Sequence, residues 1–273
     1  MVRIPVGYWS TKNETQAAPH PNISIEFLDK AIDACEKLNL AVIIDLHGAK
    51  DSQNGWDHSG WSRDTQHWTD KWDENLQNTI DSLVFLTARY KKNKCFFGIE
   101  ILNEPLSTIP LDKLSQFYSK AYKSIREINK EILIIMSDSF RAHALEAETF
   151  IPKTSRNFYR VMVDIHNYQC FNDEDKQLTT EGHLGKVTNE WQNMISVLSK
   201  NYLVVIGEWS LGLEWKTFLG MQQSDIQEFK RIFFQTQKNI FEGGDGSVFW
   251  TWREDYSNLG WSHEQLYKDG YID

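Results

Sequence analysis

The chain has 273 residues, 41% of them hydrophobic, which is enough for one large core or two small ones. Its net charge is −9 with no long block of one sign, which argues against nucleic acid as a partner. Cys35, Cys95 and Cys170 are far apart and odd in number, so they spell neither a disulfide framework nor a metal knuckle; no leader pattern and no bilayer-spanning apolar run occurs.

The first residues, Val2-Arg-Ile-Pro-Val-Gly-Tyr-Trp, read as a strand with no lead-in. Residues 10–22 are polar and punctuated by Pro19 and Pro21, so they form a loop. From Ser24 to Leu38, Phe27, Leu28, Ala31, Ile32, Cys35 and Leu38 recur at helical spacing. Leu40 to His47 is a continuous apolar run ending in histidine, the pattern of a parallel strand covered on both faces. Residues 48–72 form a long polar loop carrying Trp56, Trp61, Trp68 and Trp72. A loop of that length in a compact domain is usually functional, although core packing is the ordinary fate of any single tryptophan.

The alternation then continues. A helix is expected over 73–91, and a strand through Gly98-Ile-Glu-Ile-Leu-Asn-Glu-Pro that delivers Glu104 at its last residue, with Pro105 ending the ladder. A helix follows near 111–129, then a strand at 132–136 ending in Ser137 and Asp138 and another at 161–166 ending in His166. A helix near 187–199 leads into the strand Leu203-Val-Val-Ile-Gly-Glu208-Trp209. Ser224 and Gln227 form a capping box for a helix to about 241, Gly246 to Trp252 is the last strand, and Ser262 with Gln265 caps a short final helix.

Seven strands alternating with helices predict an α/β chain, a (β/α)8 TIM barrel lacking its first βα unit. The expected organisation is a single catalytic domain over 1–273, incomplete at its N-terminus. An open doubly wound sheet is the alternative, but no glycine-rich phosphate turn follows any strand. In a barrel the active site lies at the C-terminal strand ends. Those ends carry Arg3, His47, Asn103 with Glu104, Asp138, His166 with Tyr168, Glu208 and Trp250. Two glutamates on separate strands suit a reaction that needs an acid and a nucleophile.

Seven segments carry a resemblance: Val2-Arg-Ile-Pro, Asp45-Leu-His-Gly, Ser52-Gln-Asn-Gly, Leu102-Asn-Glu-Pro, His166-Asn-Tyr-Gln, Gly207-Glu-Trp-Ser and Val248-Phe-Trp-Thr-Trp. In this order they resemble glycoside hydrolase family 5, and within it the fungal glucan exo-1,3-β-glucosidases. The resemblance implies a retaining double displacement on terminal β-glucosidic bonds, with Glu104 as acid/base, Glu208 as nucleophile and no cofactor. Retention needs the two carboxyls roughly 5–5.5 Å apart. It further implies that Asn103 bonds the sugar 2-hydroxyl, that Arg3 supports Glu208, and that Tyr168 donates to the nucleophile. His47, Asn54 and His166 would hold the glucose pocket, Trp250 would floor the ring, and Trp56 with Phe171 would grip the next sugar. Trp56 stands where the family has phenylalanine.

Other departures are Lys50-Asp51 after the His-Gly-Ala turn, Ser137 before Asp138 and Asn167 before Tyr168. The expected partner is β-glucan or another β-glucoside, with a monomer and no membrane or nucleic-acid contact. The compartment stays open, because the family is often secreted while this chain shows neither leader nor disulfide pattern. Two other classes compete. One is a carbohydrate-binding relic without turnover. The other is a metal-dependent hydrolase using Asp45, His47, Asp138 and His166, which leaves both glutamates unexplained.

Overall fold

The computed structural model describes residues 1–12, 20, 25–60, 65–142, 158–254 and 260–272. Trp61, Ser24 and most of the loop over 10–22 lie outside them. The chain divides into two compact units, Met1–Val163 and Asp164–Asp273.

In the first unit, β1 (Val2–Gly7), β2 (Val42–Gly48), β3 (Phe96–Glu100) and β4 (Leu133–Ser137) lie side by side in chain order. All pairings are parallel, with Ile4 opposite Ile44, Ile44 opposite Ile99, and Ile99 opposite Ile134. Every residue of β2 is buried, as its unbroken apolar run requires. Helix α1 (Glu26–Lys37) buries Leu28, Ile32 and Cys35. Phe27 and Leu38, expected on the same apolar face, are exposed at 66% and 70%, so the inward stripe is narrower than the residue spacing suggested. Lys30 sits over the Phe27 ring and shields part of it.

Helices α2 (Trp72–Tyr90) and α3 (Leu111–Ile128) pack against each other and bury Leu76, Ile80, Leu83, Leu114, Phe117 and Ala121. The tryptophan-rich loop splits between two roles. Trp68 is fully buried, its indole N–H donates to Thr79 at 3.1 Å, and its ring meets Trp72 and Phe117 edge-on. Trp68 is therefore core, a buried indole with its polar atom satisfied. Trp56 is 42% exposed.

One strand boundary corrects the sequence reading. The ladder ends at Glu100, not at Glu104. The chain runs on through two isolated backbone bonds, Ile101 N–H to Ile135 O and Asn103 N–H to Leu46 O, both 3.0 Å. Apolar residues extend the run past the regular ladder, where only these single bonds remain, so hydrophobicity outlasts the strand. Glu104 then adopts a left-handed backbone, φ 44°, unusual for a residue with a Cβ.

β5 (Val161–Asn167) starts at the end of the first unit and finishes in the second. In the second unit a helical stretch runs from α4 (Thr180–Lys186) through a wider π turn at Val187–Trp191 into α5 (Gln192–Leu198). It starts earlier than the expected 187–199, because Thr179 caps it by accepting from Gly182 N–H. β6 (Leu203–Trp209) pairs in parallel with β7 (Gly246–Phe249). Between them lies α6 (Gln223–Phe241), and α7 (His263–Lys268) comes last. Trp209, Phe234, Phe241 and Phe249 cluster at centroid distances of 5.0–5.3 Å around Trp209. The Ser262 cap forms, accepting from Gln265 N–H at 3.3 Å. The Ser224–Gln227 box does not. Gln222 is the residue before the helix, and the Ser224 hydroxyl turns to Asp225 at 3.3 Å. No helix among the described residues is long and apolar enough to cross a membrane.

Candidate active site

The first unit gathers a buried polar network at the strand ends. Arg3 leaves β1 with its side chain 2% exposed. Its guanidinium donates to Glu100 at 2.6 Å and to Asn103 Oδ1 at 2.8 Å, and lies 3.2 Å from Asp45. A buried cation needs such compensation, and the planar fork reaches several acceptors at once. Asp45 also contacts His47 Nδ1 at 2.6 Å. The two alternate along β2, so an i, i+2 pair shares one face. That carboxylate holds the proton on Nδ1 and turns Nε2 toward Asn103, whose amide nitrogen is 3.5 Å away.

The loop after β2 is stitched to the segment that carries Glu104. Gln53, fully buried, donates to the carbonyls of His47 (2.9 Å) and Asn103 (2.7 Å) and accepts from Ala49 N–H. Asn54 donates to the Glu104 carbonyl at 3.2 Å and accepts from Trp56 N–H at 2.9 Å. Asn54 is 1% exposed, so its amide serves the backbone on which Glu104 and Trp56 ride. Glu104 is itself buried, and His58 Nε2 stands 3.2 Å from its carboxylate. The Trp56 ring lies 5.6 Å from both Phe140 and His58, forming a half-exposed aromatic group above the glutamate segment. Asp138 caps its own turn, accepting from Phe140 and Ala142 N–H at 3.0 Å.

The second unit holds the other glutamate. Glu208 is buried near the end of β6 and accepts the Tyr168 phenol proton at 2.8 Å. His166 Nδ1 is 3.5 Å from the same carboxylate oxygen. Its Nε2 faces Asp164 at 3.2 Å, and Asp164 in turn accepts the Gly207 N–H at 2.6 Å. Asp164, His166 and Glu208 thus form a chain of ionisable groups anchored to the β6 backbone. Tyr168, Phe171 and Trp261 form an aromatic cluster with centroids 5.3–6.0 Å apart, and Phe171 is widely exposed. Trp250 follows β7 directly and donates its N–H to Trp209 O at 2.8 Å. Cys170 sits beside this cluster, its thiol pushed up to about 12 chiefly by burial, with Glu214 and Asp175 adding to it. It is a packed thiol and not a nucleophile.

In the first unit the structure brings together Arg3, His47, Asn54, Asn103, Glu104 and Trp56. In the second it brings together His166, Tyr168, Phe171 and Glu208. Sequence reasoning missed His58, Gln53, Glu100, Asp164 and Trp261. One signal was present. Asp45-Leu-His47 and Asp164-Ile-His166 are both Asp-x-His on a strand, a spacing that places carboxylate and imidazole on one face. His58 carries no such signal, since a loop decides where it lies.

The comparisons with known proteins bear on this arrangement. Glucan 1,3-beta-glucosidase of Lachancea kluyveri is 29% identical over 99% of this chain and 68% of its own length. Glucan 1,3-beta-glucosidase 1 of Schizosaccharomyces pombe is 29% identical over 92% of this chain and 64% of its own. The chain therefore spans about two thirds of the length of these relatives. Among solved structures, rutinosidase from Aspergillus niger superposes with TM-score 0.74 at 14% identity, covering 99% of this chain and 78% of that one. That likeness is one of fold, and the parallel strands with intervening helices are the (β/α)8 pattern with one βα unit fewer. The family model described as Cellulase, glycosyl hydrolase family 5, matches residues 1–255. With the match running through both glutamate-bearing segments and nearly the whole chain, this protein belongs to glycosyl hydrolase family 5.

Proposed function

We propose that the chain is a retaining, exo-acting β-glucosidase whose substrate is β-1,3-glucan. Glu104 donates a proton to the glycosidic oxygen while Glu208 attacks the anomeric carbon, so the aglycone leaves and a glucosyl ester forms. Glu104, now a carboxylate, takes a proton from water. The hydroxide attacks the same carbon and releases Glu208 and β-glucose.

The observation that carries this reading is Glu208 held by Tyr168 at 2.8 Å while buried near the end of β6. A nucleophilic carboxylate must present one oxygen to the sugar in a fixed orientation, and a phenol on the other sets that rotation. Glu104 is held equally firmly, through its backbone by Asn54 and beside His58. Exposed Trp56 and Phe171 offer apolar faces on which pyranose rings stack. The substrate follows from the names of the relatives, glucan 1,3-beta-glucosidases.

The test is hydrolysis of an aryl β-glucoside and of laminarin by the chain and by Glu208→Ala. The parent releases glucose from both. The variant releases none until azide is added, and the rescued product is the α-glucosyl azide. A rescued product of retained configuration, or full turnover by Glu208→Ala, would overturn the assignment.

A further inference from the structure

A cavity of about 440 Å³ opens in the second unit, and neither Glu208 nor Tyr168 lines it. It is lined by the turn Trp215–Phe218, the start of α6, and α7 with the residues that follow it. Its volume falls within the roughly 300–1,000 Å³ of small-molecule sites. Deep in it lies Lys230, 9% exposed. The ammonium sits 5.8 Å from the Phe218 centroid and 5.4 Å from that of Tyr271, both lining rings. Among the described residues it donates no hydrogen bond and forms no ion pair. Its pKa is lowered, chiefly by burial, which Asp269 partly opposes. Among the described residues, an ammonium held only by aromatic faces keeps three donors that no protein group meets.

At the rim, Trp215 is 59% exposed and stacks on no other ring among the described residues. Such an indole is an open platform. Gln223, Gln265 and Asp269 also line the cavity and offer donors and acceptors, Gln265 already donating to Asp269 at 2.8 Å. Lysine and aspartate line the same cavity, so the charges oppose each other and a polyanion gains little. A wholly apolar guest would leave Lys230 unbonded. A neutral polyol with one apolar face satisfies every group at once.

We propose that this cavity is an accessory saccharide site, holding a glucose unit of a β-glucan chain with its ring on Trp215 and its hydroxyls on Lys230, Asp269 and Gln223. The inference rests on the substrate reading above for the identity of the polymer. It keeps a long glucan attached while the active site works on an end, so one polymer contacts the protein twice and its apparent affinity rises without new chemistry.

Affinity electrophoresis tests it. The full chain carries Glu208→Gln so that the polymer in the gel survives, and laminarin is the probe. Trp215→Ala and Lys230→Met are each expected to weaken retention by about tenfold, while the same substitutions in the active parent leave aryl β-glucoside kcat/KM within twofold. Trp215 is at the surface, so its variant reports even where Lys230→Met fails to fold. Retention equal to the parent in Trp215→Ala overturns the proposal, as does loss of aryl β-glucoside turnover in step with retention. Displacement from the gel by inorganic phosphate, with Trp215→Ala unchanged, overturns it too by making the ammonium an anion site. Retention on a β-1,4-glucan gel alone, lost in Trp215→Ala, upholds the site while the β-1,3 reading fails.

Discussion

Gly207→Ala should damage both stability and turnover, because a single methyl there has no room. A Cβ at Gly207 would lie 2.1 Å from Asp164 Oδ2 and 2.4 Å from Oδ1, far inside contact distance. The obstacle is a buried carboxylate, not the tip of a flexible chain. Asp164 is 1% exposed, accepts the Gly207 N–H at 2.6 Å and faces His166 at 3.2 Å. To admit the methyl, Asp164 must swing away and give up the bond to Gly207. Losing a charge-assisted hydrogen bond costs about 1.5–3 kcal/mol, and overpacking adds about 1–3 kcal/mol. A loss of about 4 kcal/mol corresponds to a fall in Tm of about 10 °C for a chain of this size. His166 then loses the partner that orients it beside Glu208, and kcat drops by roughly 10–100-fold. Differential scanning fluorimetry and aryl β-glucoside kinetics read the two effects. Gly185→Ala is the control, since its Cβ would meet only Asn189 at 3.8 Å, and on a helix it should be neutral or stabilise by up to about 1 kcal/mol. A Gly207→Ala variant with Tm within 2 °C and kcat within about twofold of the parent would refute the reasoning.

Tyr168→Phe removes the 2.8 Å donor to Glu208 and should lower kcat about 10–100-fold with little change in Tm, as steady-state kinetics and melting will show. Trp68→Ala should cost about 3–5 kcal/mol of stability in a denaturant titration, because the indole is fully buried. Trp56→Ala, at a half-exposed ring, should leave stability nearly unchanged and raise KM for laminarin. The pH dependence of stability follows from His183, fully buried against Gln169 and Thr217, with its pKa pushed down from 6.5 to about 4 by burial. The unfolded chain takes up a proton that the folded one refuses, so this site's contribution is intact above about pH 6.5 and shrinks as pH falls toward 4. The full loss is about 3 kcal/mol. Urea titrations at pH 7 and 4.5 should show His183→Gln narrowing the gap between the two; an unchanged gap counts against the assignment.

Much of this protein could be read from residue order. Short, β-branched apolar runs such as Val42 to Leu46, interrupted only by Asp45, read as strands covered on both faces, and their number and alternation with helices predict the fold class. Asn103-Glu104-Pro105 and Gly207-Glu208-Trp209 mark the proposed chemistry, because no packing requirement explains a carboxylate at such a place. Tertiary structure alone decided the rest, for one physical reason: burial and partnership are set by segments distant along the chain. Trp56 and Trp68 stand in the same loop, yet only Trp68 finds Thr79, Trp72 and Phe117 waiting. The apolar run before Glu104 outlasts its regular ladder, with Ile101 and Asn103 making only single bonds to β4 and β2, and the glutamate is left at φ 44°. His58 reaches Glu104 only because the loop after β2 is pinned by Gln53 and Asn54. Lys230 reads as one more surface lysine on a helix until Phe218 and Tyr271, 12 residues before it and 41 after, close around its ammonium.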